Sequence, residues 1–136
     1  MRFRFGRVLI AAVIAEALPI ILLIVLVALL GPGEQTAARA YAERLGQWVG
    51  PVAGSLFCFL AAWWVTRALN ARQVLHGSIV GLLSALIDVA LLIASGAVFH
   101  WVFAASNFGR LLAGMLGGFI GSAKGTGSVL DRENRA

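Results

Sequence analysis

Four apolar runs dominate this chain, and short polar islands separate them. The first covers residues 8–30 and is closed by Gly31-Pro32-Gly33, a combination that stops a helix and turns the chain. The others cover about residues 48–69, 77–98 and 107–123, with the FHWVF patch at 99–103 joining the last two at an interface. Each run is close to the ~20 residues that carry a helix across ~30 Å of hydrocarbon. The pattern therefore predicts an all-α polytopic membrane protein, a single four-helix transmembrane bundle over residues 1–123 followed by a flexible cytoplasmic tail, 124–136. Between the first two runs, residues 34–48 place Tyr41, Leu45 and Trp48 at i, i+4 and i+7, with Glu34, Arg39, Glu43 and Arg44 mostly elsewhere around the wheel. That spacing predicts a short amphipathic helix lying on the outer surface.

Composition agrees with the pattern. The 136 residues are 60% hydrophobic and 12% charged, with a mean hydropathy of +0.91, against about 25% charged residues in soluble domains. The formal charge of +5 does not point to nucleic acid, because the basic residues stand at the ends of apolar runs and form no groove-sized face. They do orient the chain. Arg2, Arg4, Arg7, Arg67, Arg72, Lys124, Arg132 and Arg135 fall on one side, and Arg39, Arg44 and Arg110 on the other. The richer side is cytoplasmic by the positive-inside rule, so both termini are expected inside a bacterial inner membrane. Trp48 and Trp101 then fall at the outer interface and Trp63 and Trp64 at the inner one. The basic start resembles a signal peptide, but its apolar run exceeds the ~7–15 residues of an h-region and lacks a small-x-small cleavage site, so it is expected to remain as a helix.

The fourth run is built for close approach. Gly109, Ala113, Gly117 and Gly121 recur every fourth residue, continued by Gly125, with Gly114, Gly118 and Ser122 beside them. In lipid, where no hydrophobic force drives helices together, small side chains allow the van der Waals approach that does. The third run carries a matching stripe of Gly77, Gly81, Ser84, Asp88 and Ser95. The pattern specifies closeness and leaves open whether the partner is the same chain, a second copy or a larger membrane complex.

Two carboxylates lie at hydrocarbon depth: Glu16 in the first run and Asp88 in the third. An ionised carboxylate there costs about 2.5–3.5 kcal/mol or more, so each is expected to be neutral, paired or facing water. With Arg7 two turns from Glu16 and Arg110 read as lying near an outer helix end, free to snorkel, the expectation is of protonated acids held by hydrogen bonds. Pro19 cannot donate to the carbonyl of Ala15, which predicts a kink and a polar notch beside Glu16. Glu16, Asp88 and Ser84 thus form a candidate proton or ion site. Other chemistry finds little support. His76 and His100 are 24 positions apart, Cys58 is the single cysteine, and no metal-ligand spacing, phosphate-binding loop or catalytic triad occurs. No metal, cofactor or enzymatic activity is expected.

AVIAEALP, with a glutamate midway along the first of four helices, resembles the small multidrug resistance transporters, and PVAGSLFCFLAAWW is similar to their second helix. The likeness covers about a quarter of the chain and implies a transport-essential carboxylate at Glu16. The chain departs from that family in lacking its tyrosine- and tryptophan-bearing third helix and in its longer first connection. A second resemblance spans nearly the whole chain. The basic start, WWVTRALNARQVLHGSIVGLL and LLAGMLGGFIGS look like small uncharacterised bacterial four-helix inner-membrane proteins. It implies the layout and no activity. The leading expectation is a non-enzymatic accessory or structural component packing in the bilayer, as a homo-oligomer or within a larger complex. The alternative is a small oligomeric proton- or cation-coupled transporter or channel using Glu16 and Asp88.

Overall fold

The computed structural model describes the backbone of residues 5–133, except 68, 70, 71 and 97–99, and side chains within 6–122. It is all-helical among the described residues, with α1 at Phe5–Leu30, α2 at Gln35–Thr66, α3 at Gln73–Ser95 and α4 at Trp101–Glu133. Three of these helices, α1, α2 and α3, are long and apolar enough to cross a membrane.

The elements differ from expectation at their ends. The amphipathic segment is not a separate surface helix, because α2 runs continuously for 32 residues through Pro51. The alanine-rich TAARAYAERL stretch propagates helix readily, and Gly50, lacking a side chain, relieves the crowding that proline imposes on the residue before it. Its stripe is only partly covered: Tyr41 and Leu45 are half-buried, and Trp48 is 74% exposed. α1 likewise continues through Pro19, which is buried. α3 stops at Ser95 because Gly96 takes the left-handed conformation, φ 64°, and its N–H bonds to the carbonyl of Ile93. α4 begins at Trp101 rather than near residue 107, so Arg110 stands nine positions inside the helix rather than three. The expected flexible tail falls on residues whose side chains lie outside the described set, although the helical backbone continues to Glu133.

Each helix buries a stripe of mostly small residues. On α1 these are Val8, Ala11, Ala12, Ala15, Glu16 and Pro19, spaced by alternating threes and ones. On α4 they are Ser106, Arg110, Ala113, Gly114, Gly117, Gly118 and Gly121. The large side chains face out instead, including Ile24 at 62%, Ile93 at 74% and Phe119 at 63% exposure. This is the distribution expected where the solvent is as apolar as the side chains and contact between helices depends on close approach.

The glycine ridges of α4 turn to two neighbours within the same chain. A β-carbon at Gly114 would lie 2.6 Å from the Gly77 carbonyl and 2.9 Å from Gly81 Cα on α3. One at Gly117 would lie 2.5 Å from the Phe59 carbonyl on α2, and one at Gly121 would strike Thr66. Thr66 Oγ1 in turn lies 2.7 Å from the Ala62 carbonyl and 3.3 Å from the Gly117 carbonyl of α4. α1 packs on α2 and α3, and α4 packs on the same two helices, while α1 and α4 stand on opposite sides of that pair.

Candidate functional site

A charged cluster occupies the seam between the α2–α3 pair and joins α1 to α4, helices that do not pack on each other among the described residues. Arg110, nine positions into α4 from Trp101 or about 13.5 Å along the helix, sends its guanidinium across the bundle to α1. Its Nε donates to Glu16 Oε1 at 2.8 Å and its Nη2 to Glu16 Oε2 at 3.2 Å. The adjacent end of the fork engages α3, with Nη2 donating to Asp88 Oδ1 at 3.1 Å and Nη1 to Asp88 Oδ2 at 3.3 Å. Nη1 also donates to Ser106 Oγ at 2.5 Å, one turn back on α4. These bonds use all five N–H groups of the guanidinium, in the bidentate geometry that only a planar fork provides.

The sequence-based expectation for Arg110 is therefore corrected. It does not snorkel at an outer helix end. Its side chain is 3% exposed, against 5% for Glu16 and 22% for Asp88. The two acids are not held by neutral hydrogen bonds alone, since a cation does stand at their depth and bridges them. The reason is local: the earlier start of α4 puts Arg110 more than two turns inside the helix, on the buried face it shares with Ser106, Ala113 and Gly114.

Surrounding groups complete the cluster. Ser84, buried on α3, donates its hydroxyl to Glu16 Oε1. Asn107 Nδ2 donates to Asp88 Oδ2 at 3.0 Å and to the Phe103 carbonyl at 2.9 Å. Its own Oδ1 is buried and has no hydrogen-bond partner among the described residues. Cys58, fully buried on α2, donates its thiol to the Arg110 carbonyl at 3.3 Å. Glycine makes the room: a β-carbon at Gly54 would lie 2.8 Å from Arg110 Nη2 and 2.9 Å from Cζ, and one at Gly81 would lie 2.8 Å from the Arg110 carbonyl.

Glu16, Ser84 and Asp88, the three residues read from the sequence as a candidate ion site, thus come together around a fourth, Arg110. Pro19 lies one turn along α1 on the same buried face as Glu16. Sequence reasoning missed Arg110, Ser106, Asn107, Gly54 and Cys58. One signal was present, because Ser106, Arg110, Ala113, Gly114 and Gly117 share the i, i+4, i+7, i+8 face of the glycine ridge, which put Arg110 on the packed side of α4.

On its far side the cluster opens into a cavity of about 910 Å³, reached by Asp88, Ser106 and Arg110 at its floor and by Arg39, Glu43, Gln47, His100 and Trp101 towards its rim. The rim lies at the surface, where Arg39 and Glu43 form a 3.4 Å ion pair with side chains 83% and 69% exposed. Glu16 and Ser84 do not line it, so only the Asp88 and Arg110 side of the cluster meets this space. His76 lies elsewhere, its Nδ1 2.9 Å from the Arg72 carbonyl. Among the described residues no three His, Cys, Asp or Glu side chains gather as metal ligands. Comparison with family models, with curated proteins and with solved structures finds no match to this chain.

Proposed function

We propose that this is a four-span bacterial inner-membrane protein, with both termini cytoplasmic, that works as a small proton- or cation-coupled transporter through Glu16, Asp88 and Arg110. The observation that carries this reading is a cavity, open at a charged rim, that ends on a buried charge cluster. Ionisable groups inside a membrane bundle are costly, and those that meet a cavity mark ion pathways. Two carboxylates share one guanidinium, so the cluster with all three groups ionised carries one uncompensated negative charge. A proton or cation arriving through the cavity at Asp88 balances it. That event competes with Arg110 for the Asp88 oxygens and leaves the guanidinium on Glu16, loosening α3 from α4 while α1 stays tied. Such a change of partner couples occupancy of the site to helix packing.

A second reading keeps the protein as a non-enzymatic accessory or structural component of a membrane complex or homo-oligomer. The saturation of all five guanidinium N–H groups favours it, since a finished polar lock can serve by holding α1, α3 and α4 in one arrangement.

The test is flux into liposomes containing the purified protein under an imposed pH gradient. Under the transport reading the wild-type chain dissipates the gradient, and Glu16→Gln and Asp88→Asn each remove that activity while the protein still reconstitutes. Absence of any gradient-driven flux in the wild type, or flux indifferent to both substitutions, overturns it in favour of the structural reading.

A further inference from the structure

Away from the charge cluster, α1 and α2 leave a groove between them of about 300 Å³, lined by residues that include Ala11, Ile14, Leu18, Leu60, Ala61 and Trp64. Its walls are apolar and lie towards the bundle exterior, with Ile14 44%, Leu60 42% and Trp64 39% exposed. The groove runs along the helices for the seven positions from Ala11 to Leu18, about 10 Å at helical rise, long enough to take a stretch of acyl chain. One turn beyond Ala11 stands Arg7, its guanidinium carbon 5.2 Å from the centroid of the Trp64 ring. The indole face orients that cation over the end of the groove. Among the described residues no side chain or carbonyl accepts from the Arg7 guanidinium, although the residue is half-buried.

We infer that this groove is a binding site for one anionic phospholipid, its acyl chain lying between α1 and α2 and its phosphate on Arg7. A chain-shaped apolar slot and an unanswered, pre-oriented guanidinium at one end of it match the two halves of that ligand. Arginine suits the headgroup because its planar fork takes two phosphate oxygens at once. Trp64 serves both halves, as a wall of the groove and as the platform for the cation. The site is independent of Glu16, Asp88 and Arg110, so its test does not depend on the transport reading.

The experiment is native mass spectrometry of the full chain in mild detergent, titrated separately with phosphatidylglycerol and phosphatidylcholine of the same acyl composition. One phosphatidylglycerol is expected to bind in preference to phosphatidylcholine. Arg7→Gln is expected to erase a preference of about fivefold, the scale set by one basic side chain at an anionic surface, and Arg7→Lys to keep part of it. Ala61→Leu, which fills the groove, weakens both lipids alike. Inorganic phosphate at millimolar concentration does not compete, since it lacks the chain. Equal binding of the two lipids, a preference unchanged in Arg7→Gln, or displacement by inorganic phosphate overturns the assignment. Thermal unfolding in lipid-free detergent identifies any variant that fails to fold, and Arg7→Lys then carries the comparison.

Discussion

At Gly54 a side chain would meet the Arg110 guanidinium, a group whose hydrogen bonds leave it little room to yield. The far end of an arginine moves cheaply on a surface, but here five donated hydrogen bonds hold it. Alanine at position 54 would put a β-carbon 2.8 Å from Nη2, and relief requires stretching bonds to Glu16 or Asp88. Gly54→Ala is therefore expected to cost about 1–3 kcal/mol by overpacking, offset in part by the ~0.5–1 kcal/mol that alanine gains over glycine in a helix. Gly46→Ala on the same helix makes only an ordinary contact, 3.5 Å from Leu23 Cδ2, and is expected to be neutral or stabilising. Reversible unfolding in mixed micelles measures the difference, and equal stabilities for the two variants would show that Gly54 makes no room for Arg110. The choice of arginine follows from the same geometry. Lysine offers a point charge with three donors, and it cannot engage two carboxylates bidentately at once.

At the scale of elements, α4 uses its small-residue face against both α2 and α3. Gly118 faces α3 so closely that a β-carbon would lie 2.7 Å from the Gln73 carbonyl and 2.9 Å from Val74 Cα. These are backbone atoms, which have no rotamer to change. Gly118→Leu is expected to separate α3 from α4 and with them Asp88 from Arg110. Phe119→Ala, one position along and 63% exposed to the outside, is expected to change stability within about 0.5 kcal/mol. Cross-linking between cysteines placed on α3 and α4 reports the separation directly, and an unchanged cross-link in Gly118→Leu would refute the packing. The ridge was legible from the sequence as a periodicity of small residues, because a repeat of four is one helical face. Which helices it meets was not legible, since a glycine surface accepts any backbone that comes close.

Across the whole molecule, the inward position of Arg110 sharpens the orientation argument. A guanidinium consumed by two carboxylates inside the bundle no longer counts as a loop charge, so only Arg39 and Arg44 remain against the eight basic residues at the other ends. Gly33→Cys, at a connection where nothing lies within 4 Å, is expected to react with a membrane-impermeant maleimide added outside intact cells. A cysteine at position 136 is expected to react only after permeabilisation, and buried Cys58 in neither case. The reverse pattern would overturn the threading. Orientation also fixes where the cavity opens, because its rim at Arg39, Glu43 and Trp101 lies at the ends of α2 and α4 that this threading turns outward.

Hydropathy and periodicity alone determined that the chain is helical and apolar enough for a membrane, that small residues pave one face of α4, and that Glu16 and Asp88 needed an explanation at their depth. These are properties of a segment and its solvent, readable wherever one helix can be considered by itself. The tertiary structure decided that α2 and its amphipathic lead form one helix, that both glycine ridges are used within the chain, and that Arg110 answers both acids. Arg110 was misread because its depth depends on where α4 begins, and its partners lie 94 and 22 positions away in the sequence. A bridge between helices on opposite sides of a bundle leaves no periodicity in any of them. It exists only once Gly54 and Gly81 have let the backbones and the guanidinium into the same seam.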